Sequence, residues 1–230
     1  MAILASRAAR PVRWRRDLRA ACFWLALALG TAALAHEVGA LYYAASIPPV
    51  GLALRALMNA FGTRTAGRLA ERVADRLTTA LGPEYVVLTE YPPRDGAAVV
   101  PVIVVGPSGI SAIEPLGENA TYGCYNDGWH RVGPQGLHHL PVSPSRRARE
   151  NAARVRTDIS GGGHIRTKVD AYVLIESGSG DDCASSTVPV ICGIDALADR
   201  LRSLAVRSDA SARQVQAVAD ALTHPLAVAI

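Results

Sequence analysis

One apolar run near the end of the chain constrains the fold most strongly. Residues 169–175 read Val-Asp-Ala-Tyr-Val-Leu-Ile and largely lack the alternation of apolar and polar residues that marks a strand with one face in water. A strand of this kind is buried on both faces, so helices must cover both sides of its sheet. Before and after the run, apolar residues recur with helical periodicity, which predicts the helices that cover the sheet. The sequence therefore predicts an α/β domain with a mixed β-sheet flanked by helices.

The expected elements follow one another as a helix, three or four strands, a second helix, two strands and two final helices. The first helix is amphipathic and ends at Gly82-Pro83, and the second opens with Ser143 as N-cap and Pro144 in its first turn. The polar stretch from Ser177 to Ser186 is expected to be a loop. The expected helices span 64–81, 143–156, 194–206 and 211–222, and the expected strands span 85–90, 97–105, 110–114, 121–125, 169–175 and 187–193.

The start of the chain is apolar and follows a cluster of positive charge. Six arginines and one aspartate precede Ala20, and the following residues are mainly apolar as far as Leu54, with a break at His36-Glu37. A helix reaching about residue 45 would have the length of a membrane span, with Trp24 near one boundary. The expected organisation is a basic tail over 1–19, a single-pass transmembrane or signal-anchor segment over 20–45, a linker or amphipathic connection over 46–63, and the folded domain over 64–225.

Other interpretations of this segment remain open. A basic region, a short apolar stretch and Ala33-Leu34-Ala35 also resemble a cleavable signal peptide. A helical hairpin could turn at His36-Glu37, with Pro48-Pro49 kinking or ending its second helix. The segment could also be a buried helical extension of the domain. Because these topologies place the domain on different sides of a membrane, the sequence leaves its side undecided.

Charge gives the domain no bulk attraction for nucleic acid. The net charge of +4 belongs to the N-terminal tail, because 18 basic and 19 acidic residues remain once residues 1–19 are set aside. Lys168 is the only lysine. The four cysteines form no Cys-x-x-Cys motif, so neither a zinc ribbon nor a thioredoxin-type site is indicated. Cys183 and Cys192 could close a small loop in an oxidising space, and the sequence leaves that pairing open.

Short signatures stand in a fixed order along the domain. Gly67–Glu71 resembles an opening helix with a Gly-x-x-Gly-Glu pattern, with Ala70 at the second glycine, and Val102–Ile110 resembles a core hairpin that leads into Ala112-Ile113-Glu114. Asp127-Gly128-Trp129 fits an aromatic turn, and Pro144–Ala152 fits a Pro-x-x-Gln-Ala-x-x-Asn-Ala helix. In this order they resemble the nuclease-related domain (NERD) family of the PD-(D/E)xK nuclease superfamily. The resemblance implies a restriction-endonuclease-like core.

The resemblance also implies a metal-dependent active site, most of which is missing. Phosphodiester hydrolysis in that superfamily needs divalent cations held by converging carboxylates, with a lysine beside them. In register with the family's hairpin, the metal-binding aspartate falls on Pro101 and the lysine falls on Leu116. Arg147 replaces a glutamine expected near the site. The candidate catalytic residues are therefore Glu114 and Glu71, both vestigial, and Glu114 is the candidate metal ligand.

Substitutes for the missing groups are conceivable. Asp95 and Glu118 stand near enough in sequence to replace a ligand, and Lys168 could supply the amine. His138 and His139 could bind a metal, but adjacent residues on a strand point to opposite faces. The candidate nucleic-acid-binding residues lie on the second helix and are Arg146, Arg147 and Arg149.

The expected function is that of a membrane-associated nuclease-related domain, catalytically inactive, which acts as a binding or scaffolding module. Its expected partners are a membrane, through residues 20–45, and either nucleic acid or an unknown protein. No cofactor is expected, although an active form would need Mg²⁺. One alternative is a Mg²⁺-dependent DNA nuclease with relocated active-site residues, and another is an exported interaction domain unrelated to nucleic acid. A fold resemblance alone does not decide among them.

Overall fold

The computed structural model describes the chain in segments separated by short gaps. These segments are residues 4–5, 18–30, 43–96, 98–117, 119–133, 136–160, 168–181, 183–205 and 212–223. The chain divides into two units, one formed by residues 1–7 and 69–230 and the other by residues 8–68. The first unit contains both sheets and the candidate site.

The described helices are α1 (residues 18–30), α2 (Tyr43–Leu81), α3 (Pro144–Ser160), α4 (Ile194–Ala205) and α5 (Ala212–Thr223). A short 3-10 turn spans Cys183–Ser185. The described strands are β1 (Leu4–Ala5), β2 (Val86–Tyr91), β3 (Val100–Gly106), β4 (Gly109–Leu116), β5 (Ala120–Tyr125), β6 (Gly128–Gly133), β7 (Gly136–His139), β8 (Val169–Ile175), β9 (Gly178–Asp181) and β10 (Val190–Cys192).

Six strands form a mixed sheet in the order β1-β2-β3-β4-β8-β10. Strands β2, β3 and β4 are antiparallel neighbours, whereas β8 runs parallel to β4 and β10 runs parallel to β8. The strand β8 has the bounds that its apolar run predicts. The expected mixed sheet with flanking helices is therefore confirmed.

Helices cover the six-stranded sheet on both faces. On one face, α2 and α4 contribute Leu77 and Leu201 to a cluster that includes Val104 of β3. On the other face, α3 and α5 pack through Val155 and Val218 into a second cluster. Complete burial of one such side chain stabilises a fold by roughly 1.5–3 kcal/mol. These two clusters explain why the central strands can be apolar on both faces.

A second sheet of four strands, in the order β7-β6-β5-β9, lies beside the N-terminal end of α3. Its β5–β6 hairpin turns through Asn126 and Asp127, whose φ angles of 48° and 61° are those of a type I′ turn. Trp129 follows this turn and is 1% exposed. The turn expected at this place is confirmed, but β6 and β7 are additional to the elements that the sequence predicted.

One further strand replaces part of an expected loop. The segment from Gly178 to Asp181 forms β9, which pairs in parallel with β5. Its sequence, Gly-Ser-Gly-Asp, has low β-propensity, so no strand was expected there. Pairing depends on close backbone approach, since a Cβ on Gly178 would lie 2.1 Å from the carbonyl oxygen of Ala120.

The helix α2 is longer than the sequence indicates. It begins at Tyr43 rather than after Phe61-Gly62-Thr63, and it contains Pro48 and Pro49. A helix-interior glycine costs only about 1 kcal/mol relative to alanine, so Gly62 does not end the helix. The residues assigned to a linker are therefore helical.

The expected membrane segment is only partly described. Residues 18–30 form α1, which exposes Phe23, Leu25 and Leu29. Within the described segments, no helix combines the length and the apolar character needed to cross a membrane. The central part of the expected span, residues 31–42, lies outside the described residues.

Candidate functional site

Glu114 is a buried carboxylate in the middle of the six-stranded sheet. It lies on β4 opposite Val173 of β8, and only 3% of its surface is exposed. Its neighbours Ile113 and Ala112 are fully buried and apolar. An ionised group at such a place requires partners, because desolvation of a charge is costly.

Helix α3 supplies those partners. Nη2 of Arg147 lies 3.0 Å from Oε1 of Glu114, and Nδ2 of Asn151 donates a hydrogen bond to Oε2 at 3.1 Å. Residues four apart lie on the same face of a helix, so Arg147 and Asn151 reach the strand together. Each oxygen of the Glu114 carboxylate therefore has a partner from α3: Oε1 has the guanidinium of Arg147 as its counterion, and Oε2 accepts the hydrogen bond from Asn151.

Burial dominates the acid–base behaviour of this carboxyl group. Desolvation raises the pKa of Glu114 to about 7, although Arg147 and the hydrogen bond from Asn151 act in the opposite direction. The group therefore changes its charge near neutral pH. Arg147 neutralises the ionised form, and the buried acid needs no counterion when it is protonated.

A second set of contacts orients the amide of Asn151. Its Oδ1 accepts a hydrogen bond from Nη1 of Arg154 at 3.2 Å, which directs the amide NH₂ group toward Glu114. Arg154 also lies 3.7 Å from Asp95 and 3.8 Å from Glu150. Asp95 is therefore an ion-pair partner of α3, and its side chain is directed to Arg154.

Pro101 and Leu116 stand where an aspartate and a lysine are expected, and both are apolar residues. The β3–β4 register pairs Val102 with Ile113, and its continuation places Pro101 opposite Glu114. Leu116 packs against the cluster that contains Trp129. A proline ring and an apolar side chain supply neither a metal ligand nor a hydrogen-bond donor to water.

The structure does not bring the other candidates to Glu114. Glu71 lies on α2, which covers one face of the sheet, whereas Glu114 contacts α3 on the other face. Lys168 pairs with Asp170 at 2.7 Å and precedes Val173 by five residues. At about 3.3 Å per residue, Lys168 is roughly 16 Å from the Glu114 level of the sheet.

The remaining candidate ligands also stay apart. Glu118 lies outside the described residues. His138 and His139 occupy neighbouring positions of β7, where they pair with Arg131 and His130 respectively. Among the described residues, no group of three or more histidine, cysteine, aspartate or glutamate side chains is arranged to hold a metal ion.

Each candidate nucleic-acid-binding arginine has an acidic partner. Arg147 contacts Glu114, as described above. Arg146 pairs with Glu150 at 2.9 Å, and Arg149 pairs with Asp127 at 3.2 Å. The Arg146–Glu150 pair joins two exposed side chains one helical turn apart, and a surface ion pair of this kind contributes little to stability. Together the three pairs offset much of the positive charge that α3 would otherwise present to a phosphate.

Two residues of the site, Asn151 and Asp127, are not among the candidates predicted from the sequence. Asn151 was missed, although it occupies the asparagine position of the Pro-x-x-Gln-Ala-x-x-Asn-Ala pattern and could have been found from that match. Asp127 was also missed, although its carboxylate accepts hydrogen bonds from several side chains. It accepts hydrogen bonds from Ser145 and Thr187, and Ser145 in turn accepts one from the indole N–H of Trp129 at 2.7 Å. The aromatic turn is thereby fixed to the first turn of α3.

A second buried carboxylate, that of Glu176, interacts with the helix on the opposite face of the sheet. The side chain of Glu176, 5% exposed, lies 3.1 Å from Nε of Arg72 and 3.7 Å from Nη1 of Arg76. Both arginines belong to α2. These ion pairs attach α2 to the residue that follows β8, whereas Glu114 is paired with residues of α3.

Comparison with known proteins gave no relative: neither a family model nor a curated protein nor a solved structure matches the chain. The resemblance to the nuclease-related family therefore rests on the sequence signatures between Gly67 and Ala152. The functional evidence is the geometry around Glu114.

Proposed function

We propose that residues 64–225 form a nuclease-related, NERD-like domain with a restriction-endonuclease-like core, which has lost hydrolytic activity and acts as a membrane-associated binding or scaffolding module. The observation that carries this proposal is the occupation of both Glu114 oxygens by Arg147 and Asn151. In an active site of the superfamily, a carboxylate at this position would bind a divalent cation.

The order of the elements supports the resemblance. Helix α2 is followed by three antiparallel strands, then by β5, β6 and β7 of the second sheet, and then by α3 and by β8, which runs parallel to β4. The strand that carries Glu114 lies at the centre of this arrangement, and α3 approaches it from one face. These features agree with the nuclease-related core that the signatures imply.

The chemistry of the Arg147–Glu114 pair supports the loss of hydrolysis. A guanidinium group supplies positive charge to the carboxylate, but it has no open coordination position and does not activate water. Mg²⁺ requires nearly octahedral oxygen coordination. Glu114 without a second carboxylate, beside Pro101 and Leu116, offers a poor site for that ion.

Two surface features support the binding role. The exposed apolar side chains of α1, including Phe23 at 62% and Leu29 at 66% exposure, suit contact with the hydrocarbon region of a membrane. The ion pairs of Arg146 and Arg149 reduce the attraction of α3 for phosphates. We therefore favour a protein over nucleic acid as the partner of the domain.

A cleavage assay tests the loss of hydrolysis. The full-length chain, purified in detergent, is incubated with supercoiled plasmid DNA and either Mg²⁺ or Mn²⁺. We expect no cleavage above that of a Glu114→Gln preparation, because no metal centre forms around Glu114. Cleavage by the wild-type chain that disappears in Glu114→Gln would support the alternative, an active nuclease with relocated ligands.

A further inference from the structure

Two cysteines lie beside the same glycine, one of them in a 3-10 turn and the other at the end of a strand. Cys183 opens the 3-10 turn after β9, and Cys192 ends β10. A Cβ on Gly180 would lie 3.1 Å from Sγ of Cys192 and 3.4 Å from Sγ of Cys183. The two sulfur atoms are therefore separated by no more than the sum of those distances. Because residue 180 is a glycine, no Cβ crowds the two sulfur atoms at this place, which Cδ1 of Ile175 also approaches to 3.1 Å.

The two thiols differ in access to solvent. Cys192 is exposed, whereas Cys183 is half-buried and lies 3.7 Å from the carbonyl oxygens of Tyr122 and Asp181. Cys124 is buried. No disulfide joins any of the four cysteines, all of which lie among the described residues.

We propose that Cys183 and Cys192 are a disulfide-forming pair that responds to a small disulfide oxidant such as glutathione disulfide. The thiolate of the exposed Cys192 attacks one sulfur of the oxidant and releases one glutathione thiolate. The thiolate of Cys183 then attacks Sγ of Cys192 and releases the second glutathione thiolate. The two protons lost by the cysteines end on the two glutathione molecules, so one dithiol is oxidised and one disulfide is reduced.

The position of the pair gives this bond a structural effect. Strand β9 belongs to the four-stranded sheet, whereas β10 is an edge strand of the six-stranded sheet. A bond between Cys183 and Cys192 ties these two edges together across the chain segment that connects them. The folded state gains stability because the unfolded chain loses freedom when a loop is closed.

A single proteolytic peptide allows a direct test. Trypsin cleaves after Lys168 and Arg200, and the peptide 169–200 contains both cysteines and no other basic residue before its end. The full-length chain in detergent is incubated with glutathione disulfide, alkylated with iodoacetamide and digested with trypsin. The masses of the peptides are then measured by mass spectrometry. We expect peptide 169–200 to be two hydrogen atoms lighter than its reduced form and unalkylated. The melting temperature should rise by about 5 °C or more.

Variants separate pairing from ordinary thiol oxidation. In Cys183→Ser, peptide 169–200 should carry one glutathione on the exposed Cys192, whereas in Cys192→Ser the half-buried Cys183 should react more slowly; neither variant should show a rise in melting temperature. Gly180→Ala should lower the yield of the linked peptide, because its Cβ would lie 3.1 Å from Sγ of Cys192 and 3.4 Å from Sγ of Cys183 and would crowd the place where the bond forms. The proposal is overturned if the wild-type peptide carries two glutathiones or two alkyl groups, or if Cys183 and Cys192 link only between chains.

Discussion

Replacing Arg147 by alanine is expected to destabilise the fold at pH 8 and to have little effect at pH 5. Glu114 is ionised at pH 8, and the substitution removes its nearest cation. The expected loss is about 1 kcal/mol, because the pKa of Glu114 lies only about one unit below pH 8, so that the folded variant can take up a proton instead of burying an unpaired charge. At pH 5 the folded state holds Glu114 protonated, so the guanidinium stabilises little charge.

The direction of this pH dependence follows from the raised pKa. The pKa of Glu114 rises from 4.5 to about 7 on folding, so the folded state binds a proton more tightly than the unfolded state. The associated stability is fully present below pH 4.5 and is lost as pH rises through 7. For the wild type this loss amounts to about 3 kcal/mol. Removal of Arg147 raises the folded pKa further and extends the loss to higher pH.

Urea denaturation at the two pH values measures the effect. Arg146→Ala is a matched control, because Arg146 is exposed on the same helix and pairs with Glu150 instead. It should change stability by no more than about 0.5 kcal/mol at either pH. Glu114→Gln should remove most of the pH dependence. An equal loss for Arg147→Ala at both pH values would show that Arg147 acts through packing alone.

A second large effect is expected at Gly106, where β3 ends. A Cβ at this position would lie 2.1 Å from Cδ1 of Tyr85, whose side chain is 1% exposed. The ring is enclosed by α2 and the sheet, so it cannot move away without disturbing that cluster. We expect Gly106→Ala to lower the free energy of unfolding by about 3 kcal/mol.

Two comparisons make the Gly106 measurement specific. Gly133→Ala places a Cβ at the end of a strand, 3.3 Å from the ring of His138 and 3.9 Å from the carbonyl oxygen of Gly136, and should cost less than about 1 kcal/mol. In a Tyr85→Leu background, the loss caused by Gly106→Ala should shrink, because the colliding ring carbons are absent. Equal losses in both backgrounds would contradict the steric explanation.

The layers of the domain could be predicted because their signals are local. The apolar run of β8 requires cover on both faces, and Ser143-Pro144 marks the start of α3 from capping alone. The turn at Asn126-Asp127 follows from residue types that tolerate positive φ. In each case a few neighbouring residues contain the whole physical reason.

The errors arise where structure depends on distant partners. Strand β9 exists through pairing with β5, although Gly178 and Gly180 disfavour a strand locally. Local propensity is a weak guide at such positions, because packing and pairing determine the outcome.

The candidate site was only half predictable for the same reason. The absence of an aspartate and a lysine is visible in Pro101 and Leu116. The pairing of Glu114 with Arg147 and Asn151 depends on the approach of α3 to β4, which no local pattern specifies. The separation of Glu71 from Glu114 by the sheet depends on which face each helix covers.

A titration of the Glu114 carboxyl group shows whether Arg147 and Asn151 exclude a metal ion from this carboxylate. Carbon-13 NMR of the full-length chain, labelled at its glutamate carboxyl carbons, follows that resonance, and Glu114→Gln identifies it. We expect a pKa of about 7 that Mg²⁺ leaves unchanged, because Arg147 and Asn151 occupy both oxygens. A marked fall of the pKa on addition of Mg²⁺ would show that the ion binds Glu114, and would contradict the account.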